Sequence, residues 1–133
     1  MIGDRQTFSP LSWYGVWPQG LVMVNVSDEV IDRMTRQIVR EVDPQRILLF
    51  GSRARGETDE HSDVDLLVVE CEPFGRNRSR RLEAARIWRC LSEFRIPTDI
   101  LVYSTSEVEQ WKDLSHHVVG MALREGKVLY ESD

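Results

Sequence analysis

Gly51-Ser52-Arg53-Ala54-Arg55-Gly56, and then after the spacer 57–62 the run Asp63-Val64-Asp65-Leu66, is the stretch on which the reading of this chain turns. Ile47-Leu48-Leu49-Phe50 just before it is a short apolar run of the kind that forms a buried strand. Val64 to Val69 just after it is a second apolar run flanked by acids, as expected of a central strand covered on both faces. Residues two apart in a strand share a face and lie ~6.8 Å apart. The carboxylates of Asp63 and Asp65 therefore emerge side by side. Such a pair repels itself and raises at least one pKa, whereas a divalent cation turns it into a hard oxygen site, for which magnesium is the natural choice. Gly51 and Ser52 at the end of the preceding strand suit a phosphate cradle. Glycine lets the backbone approach closely, and backbone N–H groups with the Ser52 hydroxyl can donate to phosphate oxygens.

Working outward, Ser27 is placed as an N-cap, with Asp28 and Glu29 in the first turn and Ile31, Met34, Ile38 and Val42 along one helical face. Asp43-Pro44 ends that helix. Between about Asn77 and Phe94, Ala84, Ile87, Trp88, Leu91 and Phe94 recur at helical spacing. Pro97 introduces a third strand, Thr98 to Tyr103, whose polar start carries Asp99. A capping box at Ser104 and Glu107, or at Ser106 and Glu109, predicts one last helix closed by Gly126 as its C′ residue, and Val128-Leu129-Tyr130 a short final strand. The order is helix, strand, strand, helix, strand, helix. It specifies one α/β (α+β) domain over 27–131, a small mixed sheet flanked by helices, with three carboxylates able to surround one site. Residues 1–26 mix Pro, Gly and the aromatics Phe8, Trp13, Tyr14 and Trp17 without a period, and read as an irregular arm.

The bulk properties agree. The chain has 133 residues, 41% hydrophobic and 29% charged, which is the range of one globular domain. A formal net charge of −5 argues against a protein that coats nucleic acid, so direct nucleic-acid binding is not expected. Cys71 and Cys90 lack CxxC spacing and read as plain reduced thiols. No run approaches the ~20 apolar residues of a membrane span, and the N-terminus lacks a basic segment before an apolar run, so a cytoplasmic protein with no membrane partner is expected.

With GSRARG, a spacer, Ser62-Asp63-Val64-Asp65-Leu66, and Thr98-Asp99-Ile100-Leu101-Val102, the chain resembles the DNA-polymerase-β-type nucleotidyltransferase superfamily, in particular its minimal members. Ala122 to Tyr130 is similar to the close of that minimal group. The likeness runs from roughly Asp28 to Glu131 and omits the arm. It implies a polymerase-β-like domain that moves a nucleoside monophosphate from an NTP, with ATP the expected donor, to a hydroxyl with two Mg2+ ions and release of pyrophosphate. In that pattern Asp63 and Asp65 bridge the metals, Asp99 holds the catalytic metal and assists deprotonation, and Gly51 and Ser52 bind nucleotide. Minimal members are often antitoxins that pair with, and can adenylylate, a HEPN-domain ribonuclease toxin, which makes such a toxin the expected partner. The competing implication is a binding module that masks the toxin with little or no transfer.

Other readings compete at single positions. A lone Asp-x-Asp is a solvated strand end; it is the glycine-serine turn and the third acid that change its meaning. A haloacid-dehalogenase-like site would want threonine where Leu67 stands, and a P-loop would want lysine where Glu57 stands. Arg53 and Arg55 either touch the triphosphate or brace the turn. Arg76, Arg78, Arg80 and Arg81 are a solvated helix start or a surface for RNA or an acidic partner. His116 and His117 are adjacent and would diverge by ~100° on a helix, which does not suit a shared metal. Trp88 and Trp111 read as core or partner-facing anchors.

Overall fold

The computed structural model describes residues 27–56 and 63–132; the arm expected over 1–26 and the spacer 57–62 lie outside the described residues. Among the described residues the elements are α1 (Asp28–Val42), β1 (Arg46–Phe50), β2 (Val64–Glu70), α2 (Arg80–Cys90), β3 (Thr98–Ser104), α3 (Thr105–Trp111), α4 (Val118–Glu125) and β4 (Lys127–Glu131). The strands form one mixed sheet in the order β3-β2-β1-β4. β1 is antiparallel to both its neighbours, and β2 is parallel to β3, as a crossover through α2 allows.

β2 is buried along its whole length except at Asp65, because both faces of the sheet are covered. On one face Val64, Leu66 and Val68 meet Ile31, Met34 and Ile38 of α1 and Ile87 and Leu91 of the α2 region. On the other, Leu67 and Val69 meet Val108 of α3 and Val119 and Ala122 of α4. Each fully buried aliphatic side chain contributes roughly 1.5–3 kcal/mol, so the continuous apolar run of β2 is the main anchor of the sheet. Asp65 shares the α3/α4 face with Leu67 and Val69 and is the partly exposed residue at the start of that strand.

The expected caps hold at Ser27, whose side chain accepts from Val30 N at 3.3 Å, and at Ser104, which forms a capping box with Glu107. Asp43 leaves the helix by a left-handed turn, φ 50° and ψ 61°, rather than by an extended one. Four expectations change. The second helix is shorter than 77–94, ending at Cys90 and continuing as a 3-10 turn over Ser92–Phe94. Trp88 is not on its buried face but 56% exposed. The last helix is two: the polar stretch 112–117 breaks it, and His117 Nδ1 caps α4 by accepting from Val119 N at 3.1 Å. Gly126 follows α4 in an extended conformation rather than a left-handed one. Its lack of a side chain is required by space, since a Cβ would collide with the carbonyl oxygens of Ala122 and Leu49.

No helix among the described residues is long and apolar enough to cross a membrane. Cys71 and Cys90 are free thiols, and burial pushes Cys90 up to about 11, which leaves it unreactive near neutral pH.

Candidate active site

Three sheet elements end together at one edge of the molecule. β1 finishes at Phe50, which pairs with Asp65 of β2, and Asp65 in turn lies level with Asp99 of β3. Register therefore places two acids from distant parts of the chain side by side on one face. Asp63, two residues before Asp65, stands exposed just ahead of the strand.

The three carboxylates act on one another. Asp65 is pushed up to about 6, first by burial, then by the charge of Asp99 and a hydrogen bond between the two carboxyls, then by Asp63; Arg55 pulls the other way. Four groups thus converge, and negative charge exceeds positive. Hard oxygen donors with an uncompensated charge are what a divalent cation requires. Among the described residues no group of three or more His, Cys, Asp or Glu forms a ready-made metal cage.

Gly51 is required twice over. Its φ is +79°, a region where a side chain is strained, and a Cβ there would run into Oδ2 of Asp65 and sit 3.1 Å from Cγ. The glycine thus makes room for the acid. The turn after it is bonded as a short helical coil, Ala54 N to Gly51 O at 3.1 Å, Arg55 N to Gly51 O at 3.2 Å and Gly56 N to Arg53 O at 3.2 Å. The N–H groups of Ser52 and Arg53 precede the first bonded donor, as in the first turn of a helix.

The two arginines of the turn part company. Arg53 is 8% exposed, and its charge, after that of Lys127, acts on Asp28 at the start of α1. Arg55 is exposed, pairs with Glu125 at 3.5 Å and lies within electrostatic reach of Asp65. Asp28 and Lys127 were not read as neighbours of this site from sequence, which placed Asp28 in the first turn of the first helix and began the last strand only at Val128.

The remaining sequence-level candidates fall outside it. Arg78 is engaged with Glu70, with Glu72 and Glu83 at 3.5 and 3.6 Å, and with the Phe74 ring at 4.2 Å. Arg80 forks onto Glu107 at 2.6 and 2.9 Å. Half of the basic run is therefore structural. His117 caps α4 and stacks on Trp111, with ring centroids 4.6 Å apart, while His116 is exposed.

Comparison with known proteins finds similarities of different reach. A protein of Methanocaldococcus jannaschii named "Putative protein adenylyltransferase" is 39% identical over 57 residues, which cover 43% of this chain and 52% of that protein. The match thus spans about half of the relative's length. Two solved toxin–antitoxin structures are similar at lower identity. One, with AMP-PNP, has 20% identity and a TM-score of 0.48, covering 77% of this chain and 74% of the other. The other, a tri-AMPylated Shewanella oneidensis HEPN toxin with its MNT antitoxin, has 17% identity and a TM-score of 0.40, covering 78% and 69%. Residues 32–128, nearly the whole of the described domain, match the nucleotidyltransferase domain family, and the chain belongs to that family.

Proposed function

We propose that the chain is a magnesium-dependent nucleotidyltransferase that moves AMP from ATP onto a hydroxyl of a partner protein. The observation that carries this is the register of Asp65 against Asp99 beside Gly51, whose missing side chain leaves room for the acid. Asp63 and Asp65 hold Mg2+, and Asp99 completes the site. When bound, the metal offsets the carboxylate charge and stabilises the oxygens that attack and leave. Gly51 and Ser52 bind the triphosphate through backbone N–H groups and the Ser52 hydroxyl. A carboxylate oxygen of Asp99 takes the proton of the acceptor hydroxyl. The new bond joins the acceptor oxygen to the α-phosphorus, the bond from that phosphorus to the β-phosphate oxygen breaks, and pyrophosphate leaves. Such chemistry depends mainly on positioning and charge, which a domain of this size can supply.

The name of the 39%-identical relative supports a protein acceptor and the adenylyl group. The motif resemblance supports a HEPN-domain toxin as that partner, with this chain as its antitoxin. The test is co-incubation of chain and partner with ATP labelled at the α-phosphate. Label should enter the partner only with magnesium, and not with the Asp65→Asn variant. Neutralisation of the partner without any label transfer would replace this reading by that of a masking module.

A further inference from the structure

We propose that the outward face of α2, with the groove beneath Trp88, is the docking surface for the acceptor protein, and that it receives an acidic segment carrying a large apolar side chain. The proposal rests on the protein-acceptor reading above and adds where the acceptor sits. At helical spacing Arg81, Leu82, Ala85, Trp88 and Arg89 occupy one continuous arc of α2, opposite the buried Ile87. Leu82 is 63% and Trp88 56% exposed, the two most open large apolar residues among those described. A tryptophan held in water beside arginines is a composition typical of interface centres rather than of ordinary helix surface, and Leu82 extends its apolar area.

Charge selects the occupant. Of the arginines on this segment, Arg80 is paired with Glu107, and Arg86 with Glu41 and Glu83. Arg81, Arg89 and Arg95 are exposed and enter no ion pair among the described residues; Glu93 is the one exposed acid of the same segment. A chain with a net charge of −5 thus presents a local excess of positive charge. The groove adjoining this face, about 290 Å3, is lined by Trp88, Leu91, Arg95, Pro97 and Thr98 among others. Its apolar floor fits a side chain and offers little to a phosphate backbone, which favours an acidic polypeptide over RNA. It ends at Thr98, one residue before Asp99, at the open edge of β3. A segment anchored under Trp88 and continuing past that edge would carry a hydroxyl toward the three acids.

The probe is fluorescein-labelled poly(Glu,Tyr), an acidic, aromatic, hydroxyl-bearing polypeptide, titrated with the full chain in anisotropy measurements. The Trp88→Ala and Arg89→Glu variants should each weaken binding by about tenfold or more, as loss of an interface anchor does. Both positions are exposed, and MgATP affinity measured by calorimetry should be unchanged, which reports an intact fold and site. Equal binding of the polymer by the variants and the unaltered chain would overturn the proposal. So would oligo(U) displacing the polymer more strongly than unlabelled poly(Glu,Tyr), or a homodimer that the same substitutions dissociate. Variant-sensitive polymer binding by a chain that binds no MgATP would overturn the acceptor role and leave only a docking surface, which separates failure of the nucleotide-transfer reading from failure of this one.

Discussion

At its start β2 sets Asp65 against Asp99 and Asp63, and at its end it sets Glu70 against Glu83. Both carboxyls are raised, Asp65 to about 6 and Glu70 to about 7, in each case first by burial and then by the neighbouring acid. What differs is the response of the surroundings. At Glu70, which is 4% exposed, the Arg78 guanidinium is inserted among Glu70, Glu72 and Glu83 and rests on Phe74. At Asp65 the cation within reach is Arg55, which is exposed and also engaged with Glu125. The first cluster is bridged by guanidinium groups of the chain itself, Arg78 and, at Glu83, Arg86; among the described residues the second has only the exposed Arg55 acting on it. That contrast, more than the presence of acids, is what supports proposing the Asp65 end as the place for an external cation.

The largest expected effect breaks the contrast at Asp99. Asp99→Asn keeps shape and removes charge, so MgATP affinity should largely persist while AMP transfer falls by ~10² to 10⁴, the usual contribution of a positioned base. Transfer at the parent rate would remove Asp99 from the mechanism. At the other end, Arg78→Ala leaves two acids facing each other without their guanidinium. It should cost about 3 kcal/mol in urea unfolding at alkaline pH, the low end for a broken buried pair, and leave MgATP affinity alone. A loss of nucleotide affinity in a folded Arg78 variant would mean that the two ends are coupled.

Ser52→Ala should weaken nucleotide binding by roughly 1.5–3 kcal/mol, the worth of a charge-assisted hydrogen bond, with the thermal midpoint unchanged. Unaltered affinity would take the hydroxyl out of the cradle. The smallest effect is in pH dependence. A carboxyl raised by folding stabilises the native state below its unfolded pKa and loses that contribution as pH rises through its folded value. Metal-free protein should therefore lose stability from about pH 4 to about 6 through Asp65 and from about 4.5 to about 7 through Glu70, relative to Asp65→Asn and Glu70→Gln respectively. Magnesium should restore only the Asp65 share; restoration of the Glu70 share as well would erase the contrast between the ends.

Much of this was legible in the sequence because period and punctuation are local. The two-residue spacing of Asp63 and Asp65, the apolar run of β2 and the Ser27 cap each follow from a few adjacent residues. That Asp99 falls level with Asp65 was expected only as a possibility of sheet geometry, since the register depends on how α2 packs during the crossover. The outward turn of Trp88 escaped for a related reason. Helical spacing alone gives Trp88 and Ile87 similar claims to the core, and Ile87 and Leu91 fill it. The break between α3 and α4 rests on an imidazole cap at His117, which belongs to none of the common cap residues. Arg53 and Arg55 look alike in sequence, and only packing separates a buried guanidinium from an exposed one.

The account stands most directly on one comparison, calorimetric titration of the unaltered chain with ATP in the presence of magnesium and with the metal chelated. If Asp63 and Asp65 hold the cation as proposed, binding should be clearly tighter with magnesium, accompanied near pH 6 by release of a proton from Asp65, and an Asp65→Asn variant should lose most of this difference. Equal affinity with and without the metal, or a metal effect of full size in Asp65→Asn, would contradict the assignment of this carboxylate cluster as the magnesium site.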